Sequence, residues 1–467
     1  MSPALVVFTR DLRLRDLPAL DAAVRRGGGV VPVFVIDDAV LTTSHGNPNR
    51  VSYLLDALSD LRSSLRDRGG DLVVRRGDWV DEIVRLVDAH GASSVHVSED
   101  VSGFATARLH RLRAALDGRA VGGRAVGGRA VEVEAHPGVT VVPPGTNRPS
   151  SGDYWKVFTP YQKRWLAETW RPVLPAPDDL DVPAEVEPGA LPTLGDLVDG
   201  EPAPGLVAGG ERAALERLRI WAAGSLAAYA DRHDDLAGDA TSHISADLHF
   251  GCLSPLEVAT RLRDRDGGAA FVRQLCWRDF YHQFLAARSA TSHEDVRDRG
   301  DRWRDDPDDV AAWTEGRTGF PLVDAAMRQL SAEGFMHNRA RMVVASFLTK
   351  DLYVDWRTGA RHFMEHLVDG DVANNQLNWQ WTAGTGTDTN PNRIFNPTVQ
   401  STRFDPYGEY IRRYVPELAG VPAPEIHEPS VETRARTGYP AAIVDHREAI
   451  AEYRAALDAG RDRAGRR

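Results

Sequence analysis

Cysteine and lysine are scarce in this chain of 467 residues, and long apolar runs are missing. Only Cys252 and Cys276 occur, too few for a disulfide framework or a four-cysteine zinc site, so no bound metal is predicted. No apolar run approaches the roughly 18 residues that a membrane-spanning helix needs. Arg10 and Asp11 occur within the first dozen residues, unlike in a secretory signal. We therefore expect a reducing, cytoplasmic setting and no membrane partner.

Positive charge is in deficit: the formal net charge is −11, and lysine occurs only as Lys156, Lys163 and Lys350. Taken alone, this balance argues against a nucleic-acid partner, because phosphate contacts need local positive charge. A net sum does not exclude a basic patch, however. Several arginines fall within one carboxyl-terminal region: Arg339, Arg341, Arg393, Arg403, Arg412 and Arg413.

Short β-branched runs alternate with amphipathic stretches in the amino-terminal part. Strands are predicted at residues 4–8, 30–36, 71–75, 94–98 and 131–135, and helices at 18–26, 50–68, 79–90 and 103–117. This rhythm predicts an α/β fold with a doubly wound parallel sheet, which binds ligands beyond the carboxyl ends of its strands. No G-x-G-x-x-G follows the first strand, so an ordinary dinucleotide site is not expected.

Composition also divides the chain. Residues 118–131 carry a five-residue repeat (GRAVG), which predicts an exposed loop before the last strand. Residues 171–210 are rich in proline, glycine and acidic side chains, which is typical of a long connection. The pattern is helical from 211 onward. We predict an α/β domain over 1–135, a linker over 136–210 and a mostly α-helical domain over 211–467.

Two short segments in the helical part carry hydroxyl groups. Thr241, Ser242 and Ser245 lie in one turn, and hydroxyls with free backbone N–H groups at a helix start can hold a phosphate. An ordinary helix cap is the alternative interpretation. Ser254, followed by Pro255 and then by Glu257, predicts a capping box at the next helix.

The segment FVRQLCWRDFYHQF (271–284) has a polar and aromatic helix face. Gln274, Trp277, Arg278 and Tyr281 share this face by their spacing. An amide, an indole and a guanidinium together suit a flat ligand with polar edges. A helix–helix interface with a buried, hydrogen-bonded arginine is the alternative.

A second polar face lies in GFMHNRARM (334–342), where Asn338, Arg341 and Met342 coincide. Asparagine can form a two-point hydrogen bond to a base edge, and methionine offers a polarisable contact to a ring. Asp369 and Asp371 follow in DGD. Without further ligands nearby, a metal is less natural here than a pair between one aspartate and Arg341.

Tryptophan is concentrated after residue 210, at positions 221, 277, 303, 313, 356, 379 and 381. Indoles are easily oxidised, so a series of them can carry an electron to a buried cofactor. The alternative is plain apolar filling of a core.

These pieces together resemble the DNA photolyase/cryptochrome family along the whole chain. VFTRDLRLRDLPAL (7–20), YWKVFTPYQKRW (154–165) and YPAAIVDH (439–446) are similar to its opening, interdomain and closing segments. The most specific block is 319–400, with GFPLVDAAMRQL, GFMHNRARM, DGDVANNQLNWQW and RIFNP. The most similar subgroup is the bacterial, actinobacterial-type class I cyclobutane pyrimidine dimer photolyases.

The resemblance implies an FAD held by the helical domain. The matching FAD positions are Tyr229, Thr241, Ser242, His243, Ile244, Ser245, Arg278, Arg341, Asp369, Gly370, Asp371 and Asn375. Asp369 would pair with Arg341, Asp371 would accept a hydrogen bond from the flavin ring, and Asn375 would lie near the flavin N5. Trp379, Trp356 and Trp303 match the electron-relay tryptophans, in order outward from the flavin.

The resemblance also implies a partner, UV-damaged DNA, and a monomer. The matching lesion or DNA positions are Gln274, Trp277, Arg278, Tyr281, Asn338, Arg339, Met342, Trp381, Arg393 and Gln400. The dimer would be flipped into a pocket, with Trp277 and Trp381 stacked on its two pyrimidines. The implied reaction is light-driven repair, in which an electron passes from reduced FAD to the dimer and returns after the cyclobutane ring opens.

Some positions depart from the family pattern. Gln274 stands where many dimer photolyases have glutamate, so it keeps hydrogen bonding and loses a charge. His233 stands where arginine is frequent, Asn378 replaces a common glycine and Val7 a common tryptophan. Lower repair efficiency and one fewer phosphate contact are the expected consequences.

The amino-terminal sheet is expected to hold an antenna chromophore. The Asn-Glu pair of many folate-binding members is missing from residues 100–103. We therefore expect 8-hydroxy-5-deazaflavin rather than methenyltetrahydrofolate, with Asp37, Arg50 and Asp100 as its candidate contacts.

Two relatives of the same fold are alternatives. A cryptochrome-like blue-light sensor would share the FAD, but Asn375 resembles the photolyase choice, where plant cryptochromes commonly have aspartate. A (6–4) photolyase would need two histidines at the positions of Asn338 and Met342. A non-enzymatic nucleotide-binding module fits the α/β part alone and leaves the 271–400 residues unexplained.

Overall fold

The computed structural model describes residues 2–118, 130–183 and 186–464, and the chain forms two compact units. The first gathers Met1–Glu201, Val207–Ala227 and Ser242–Ala290, and the second gathers Pro202–Leu206, Ala228–Thr241 and Thr291–Arg467. Each unit collects separate stretches of chain, whereas the predicted domain ranges are consecutive, so those ranges stay a prediction. All of the five-residue repeat except its ends lies outside the described residues.

The first unit is built on the predicted parallel sheet. Its strands are β1 (Ala4–Phe8), β2 (Val30–Asp37), β3 (Val73–Gly77), β4 (Ser94–Ser98) and β5 (Glu132–His136). They lie in the order β3-β2-β1-β4-β5, and every neighbouring pair is parallel. The α/β prediction is thereby confirmed, with the third strand two residues later than expected.

The side chains of β4 and β5 alternate between two chemically different faces. Val95 and Val97, with Val133 and Ala135 packed beside them, join the apolar core under the sheet. The intervening residues are polar: Ser94, His96 and Ser98 on β4, and Glu132, Glu134 and His136 on β5. Since side chains of a strand alternate in direction, these polar residues share the opposite face.

The helices of the first unit follow the predicted boundaries closely. They are α1 (Pro18–Arg26), α2 (Asp38–Leu41), α3 (Pro48–Arg66), α4 (Trp79–His90), α5 (Gly103–Leu116), α6 (Phe158–Ala167), α7 (Glu211–Gly224), α9 (Ser245–His249), α10 (Pro255–Leu262) and α11 (Gly268–Ala287). Side-chain caps explain where several begin: Asn47 accepts from the Arg50 N–H, and Asp78 accepts from the N–H groups of Val80 and Asp81.

The proline-rich stretch after residue 171 lies along this unit. The N–H of Val30 donates to the carbonyl of Asp181, and the N–H of Val74 donates to the carbonyl of Pro188, each at 2.7 Å. Gly189 has a φ of 75°, and a Cβ there would lie 2.6 Å from the Val74 carbonyl oxygen, so the close approach requires glycine. The connection is therefore hydrogen-bonded structure rather than a free tether.

The second unit is helical, as predicted. It contains α8 (Tyr229–Arg232), α12 (Pro307–Thr314), α13 (Pro321–Glu333), α14 (Asn338–Ser346), α15 (Trp356–His366), α16 (Val372–Ala383), α17 (Pro397–Phe404), α18 (Glu409–Tyr414), α19 (Val431–Thr437) and α20 (His446–Ala464). A π-helical turn, Phe347–Asp351, continues α14. These helices surround one apolar cluster that includes Trp313, Trp356 and Trp379. Among the described residues, none of the helices is long and apolar enough to cross a membrane.

Candidate functional site

Helix α11 of the first unit carries the predicted polar and aromatic face. Gln274 is exposed, the Trp277 indole is half-buried and Tyr281 is buried. The Trp277 ring stacks on Phe158 of α6, with centroids 3.6 Å apart and planes 3° from parallel. Tyr281 lies 5.6 Å from the same indole. The stack fixes Trp277 as a preformed aromatic platform, and no sequence pattern indicated Phe158 as its partner.

Arg278 is turned toward the protein interior. Its guanidinium donates to the backbone carbonyls of Val139 and Leu248, which corresponds to the buried, hydrogen-bonded arginine weighed as an alternative. A backbone-anchoring role is thus present, and the predicted FAD and lesion roles of Arg278 stay predictions.

The neighbouring Asp279 is a structural residue that the sequence did not reveal. Its Oδ2 accepts hydrogen bonds from the N–H groups of Val141 and Val142 and from the indole N–H of Trp165, all at 2.9 Å. Oδ1 is buried, and no group of the described residues donates a hydrogen bond to it. Burial raises the pKa of Asp279 to about 6.

The hydroxyl-rich turn also belongs partly to the first unit. Ser245 begins α9 and is exposed, Ile244 before it is buried, and His243 has a left-handed φ of 52°. The short helix is held from inside by Asp247, which accepts hydrogen bonds from Tyr53 and, at 2.6 Å, from Arg217. Thr241 lies in the second unit, where its hydroxyl donates to Asp239 at 3.4 Å.

One of the two hydrogen bonds of the predicted capping box at α10 is present. The Ser254 hydroxyl accepts from the Glu257 N–H at 3.2 Å, and Pro255 is the first helical residue. The Glu257 carboxylate binds the guanidinium groups of Arg15 and Arg261 at 2.8 and 2.5 Å. The other half of the prediction, a hydrogen bond from the Ser254 backbone N–H to the Glu257 side chain, was wrong, because the two arginines bind this carboxylate instead.

In the second unit, Arg341 and Asp369 form the pair that the resemblance implies. Both terminal nitrogens of Arg341 donate to the two carboxylate oxygens, at 3.1 and 2.8 Å, and its Nε donates to the Met336 carbonyl at 2.7 Å. The Asp369 side chain is 3% exposed and that of Arg341 25%. Such a fork is rigid because it fixes both distance and plane.

The start of α16 gathers further predicted FAD residues. Asp371 caps the helix by accepting from the backbone N–H of Asn374 at 2.8 Å and from its side chain at 2.7 Å. One turn on, the Asn375 amide donates to the Ala360 carbonyl at 3.0 Å. Gly370 is buried, and so is Tyr229 at the start of α8. The carboxylates and amides are thus held in fixed directions by the helix that carries them.

Predicted DNA residues of the second unit have varied surroundings. Asn338 is exposed and lies 4.0 Å from the Met342 sulfur on the same turn. Arg339 is occupied by an ion pair to Asp234, with nitrogen–oxygen distances of 2.5 and 3.1 Å. Asp234 therefore competes with DNA for Arg339, which was predicted to contact the lesion or DNA.

The remaining predicted DNA residues lie in the last turn of α16 and in the segment that follows it. The exposed Arg393 guanidinium lies 5.1 Å from the ring centre of Trp381, and its closest carboxylate, Asp388, is 3.9 Å away. Gln400 is half-buried, and its Oε1 is buried without a hydrogen bond from the described residues. Trp381 and Arg393 are thus one cationic and aromatic surface.

The three predicted relay tryptophans share one apolar cluster. Trp379 and Trp356 are buried within it, and Trp303 packs against it and against Tyr353, 5.1 Å between centroids. The Trp356 indole N–H donates to Asp295 at 2.8 Å. Trp313, to which the sequence assigned no role, lies edge-on to Trp379 at 6.1 Å. Core packing and an electron relay are therefore compatible uses of the same rings.

Gly359 of α15 leaves the space that the Trp379 ring occupies, and a substitution at Gly359 tests this. A Cβ would lie 2.2 Å from Trp379 Cη2 and 2.6 Å from Leu348 Cδ2. We expect Gly359→Ala to lower the free energy of unfolding by about 1–3 kcal/mol through overpacking, measured by urea denaturation. Gly224→Ala at the last residue of α7 is the control, because its Cβ meets open space and the free energy of unfolding should not fall. Equal stability of the two variants would contradict the interpretation that a side chain at residue 359 clashes with Trp379.

Candidate antenna residues lie at the carboxyl ends of the strands. Asp37 caps α2 and receives a hydrogen bond from Arg108 at 3.4 Å, and Asp100 pairs with Arg10 at 3.1 Å. Arg50 is buried in α3. A cavity of about 250 Å³ adjoins Asp100 and is lined also by His110, Arg113 and residues 137–140.

Comparison with known proteins shows the family to which the chain belongs. Residues 271–459 match the FAD binding domain of DNA photolyase, and residues 4–179 match the DNA photolyase domain. The chain belongs to the DNA photolyase/cryptochrome family. A deoxyribodipyrimidine photo-lyase of Streptomyces griseus is 52% identical, over 97% of this chain and 98% of that protein. One of Halobacterium salinarum is 39% identical, over 94% and 95%.

Solved structures agree in fold. A class III photolyase from Agrobacterium tumefaciens has a TM-score of 0.89 at 33% identity, covering 99% of this chain and 98% of that one. A photolyase from Sulfolobus tokodaii with two FAD molecules has a TM-score of 0.85 at 29% identity, covering 98% and 100%. A cryptochrome from Synechocystis has a TM-score of 0.87 at 30% identity, covering 98% and 99%.

Proposed function

We propose that this chain is a deoxyribodipyrimidine photolyase, which uses light to split cyclobutane pyrimidine dimers in UV-damaged DNA. The observation that carries the proposal is the nearly full-length match, at 52% identity, to a relative that bears this name. Cryptochromes share the fold, so a blue-light sensor without repair is the second candidate; the Synechocystis neighbour favours testing it.

The residues of the second unit fit an FAD, for which this family domain provides the site. The fit rests on the donor set: the Arg341–Asp369 fork, the Asp371 cap and the Asn375 amide are fixed polar groups on adjoining helices. When bound, reduced FAD supplies the electron that light transfers to the dimer. The protein supplies binding, orientation and electrostatics.

Within this proposal, each polar group has one task. Arg341 and Asp369 hold each other, so that neither has to be ordered when the cofactor binds. Asp371 presents a carboxylate at the flavin ring, and Asn375 presents an amide whose direction is set by its bond to Ala360. Tyr229, Arg278 and the segment from Thr241 to Ser245 complete the proposed set, with Gly370 leaving room for the ring system.

The lesion contacts are assigned to aromatic and amide groups. Trp277, held by Phe158, provides a stacking platform, with Tyr281 behind it and Gln274 at its exposed edge. Base stacking of this kind is worth about 1–3 kcal/mol per base. In the second unit the corresponding groups are Asn338, Met342, Trp381 and Gln400, whose buried Oε1 accepts no hydrogen bond from described residues. Arg393 and Arg339 would contact phosphates, Arg339 after release from Asp234.

Trp379, Trp356 and Trp303 are proposed as the route by which electrons reach the cofactor from the surface. Burial of the first two excludes water from the indoles, and Trp303 is partly exposed at the outer end. The Asp295 carboxylate beside the Trp356 N–H stabilises positive charge on that ring, as an oxidised indole requires.

The second chromophore is proposed to be an 8-hydroxy-5-deazaflavin near Asp37, Arg50 and Asp100. Its tricyclic ring has the same general shape as the isoalloxazine ring of FAD, and the Sulfolobus tokodaii photolyase contains a second FAD molecule. Asp37 and Asp100 already hold two arginines at this edge of the sheet, so the region has hydrogen-bonding groups of both charges.

Repair is tested with the purified, reduced protein and an oligonucleotide that contains one thymine dimer. We expect loss of the dimer under blue light and none in the dark. Trp277→Ala should weaken dark binding to this oligonucleotide by about 5- to 150-fold, the equivalent of one lost stack. Phe104→Ala is the matched control, because this exposed ring lies outside the proposed contacts.

The two candidate functions give different results in this assay. FAD binding without repair would favour the blue-light sensor, and Gln274→Glu would then show whether the missing charge is the cause. A chain that binds no FAD would contradict both. Equal affinity of Trp277→Ala and wild type would remove Trp277 from the lesion contacts and leave the repair result standing.

A further inference from the structure

The polar face of β4 and β5 brings together two histidines and a glutamate. In the parallel register His96 lies opposite Glu134, and Ser98 lies opposite His136. His96, Glu134 and His136 therefore point to the same side, away from the valines of the apolar core. None of them belongs to the proposed FAD, DNA or antenna residues.

The distances within this cluster are short. His96 Nδ1 and His136 Nε2 are 3.0 Å apart, which is a hydrogen-bond distance, and each lies 4.0 Å from Glu134 Oε2. Around a tetrahedral ion with nitrogen and oxygen ligands at about 2.0–2.2 Å, neighbouring ligand atoms would be separated by about 3.3 Å. An ion would replace the hydrogen bond between the two imidazoles after a small separation of their nitrogens, and a small rotation of the glutamate brings in the third ligand.

The exposure of the three side chains favours entry of an ion at this place. The side chains are 1% exposed for His96, 15% for His136 and 40% for Glu134, so the carboxylate lies on the entry side and can move.

Two neighbours orient the ligands. The Ser94 hydroxyl lies 3.0 Å from His96 Nε2, so it can accept that N–H and leave Nδ1 for an ion. Arg26 at the end of α1 donates to Glu134 Oε1 at 3.0 Å and to Glu132 at 2.7 Å. Arg26 thereby turns the other oxygen of Glu134, Oε2, toward the histidines.

We propose that His96, Glu134 and His136 form a binding site for a divalent transition ion such as Zn²⁺. Two imidazoles and one carboxylate are suitable ligands for Zn²⁺, with a water in the fourth position. The ion would tie β5, at the edge of the sheet, to β4. No metal was predicted from the sequence because only the cysteines and the two aspartates of DGD were considered as ligands. Ligands that come from two strands far apart in the sequence are brought together only by the sheet.

The test is zinc content of untagged, FAD-containing protein after loading with Zn²⁺ and dialysis. We expect the wild type to retain one more ion per chain than His136→Gln. The control is His366→Gln, which alters another cluster of possible ligands among the described residues, His362, Glu365 and His366 on α15. That variant should keep the ion bound by the strands.

A second variant separates ligand loss from misfolding. Ser94→Ala keeps all three ligands and is expected to weaken zinc affinity by about 10- to 100-fold, as loss of an orienting hydrogen bond does. Unchanged FAD content and circular dichroism show that each variant is folded. Equal zinc retention by wild type and His136→Gln, or no retention by the wild type, overturns the proposal.

Discussion

Asp369→Ala is expected to yield protein that loses FAD during gel filtration. The substitution removes both acceptors of the Arg341 fork and leaves a largely buried guanidinium without its counter-charge. Breaking a buried pair costs about 3–5 kcal/mol, and the quarter exposure of Arg341 places this one toward the lower value. The measurement is the ratio of flavin to protein absorbance after the column, together with the urea midpoint.

Glu417→Ala is the matched control for this variant. It breaks another ion pair in the same unit, in which one terminal nitrogen of Arg328 donates to both Glu417 oxygens at 2.9 and 2.8 Å. The arginine is as exposed as Arg341, and the carboxylate is more exposed than that of Asp369. No cofactor role is proposed for that pair, so FAD should be retained. If Asp369→Ala keeps as much FAD as Glu417→Ala, the proposed role of the Arg341–Asp369 pair is wrong.

The second large effect concerns pH. Because burial raises the pKa of Asp279 from 3.8 to about 6, the folded state binds more protons than the unfolded state between these values. Its contribution to stability is therefore greatest below pH 3.8 and falls as pH rises toward 6. The change is up to about 3 kcal/mol. Asp279→Asn lacks this titration, so the stability of wild type relative to the variant should decline between pH 4 and pH 6.

Asp71→Asn gives the opposite sign and serves as the control. Burial would raise the pKa of Asp71, but hydrogen bonds from Arg62 and Arg66 outweigh it and hold the pKa below its ordinary value. Its stabilising contribution is therefore lost on acidification. Unfolding free energies of the three proteins across this pH range provide the measurement. A wild-type advantage that does not vary with pH would show that Asp279 stays ionised in the folded protein.

The sheet was predictable from the sequence because its signals are local. The valine-rich run of β2 and the alternation of β4 give strand periodicity, and Asp78 caps α4 just before its first residue. A pair between Arg341 and one aspartate of DGD could be foreseen as well, since a buried guanidinium needs a carboxylate, and the family resemblance indicated Asp369.

Other features depend on residues that are distant in the sequence. No local pattern shows that Phe158 will stack on Trp277, or that Asp279 will gather three donors, two from one loop and one from a tryptophan. The capping box at α10 failed for the same reason, because Arg15 arrives from the other end of the unit. Long-range partners for polar groups are decided by the packing of whole elements.

The stretch that binds Val74 has a consequence for how the protein behaves at high concentration. β3 is the outermost strand of its sheet, and an exposed strand edge is a template on which another chain can add. Pro188 occupies one hydrogen-bonding position of that edge, and the prolines of the stretch cannot donate further bonds. Asp178, Asp179 and Glu187 of the same stretch are acidic, so a second copy would meet like charge. We therefore expect this segment, whose composition is typical of a spacer, to limit self-association and aggregation as well.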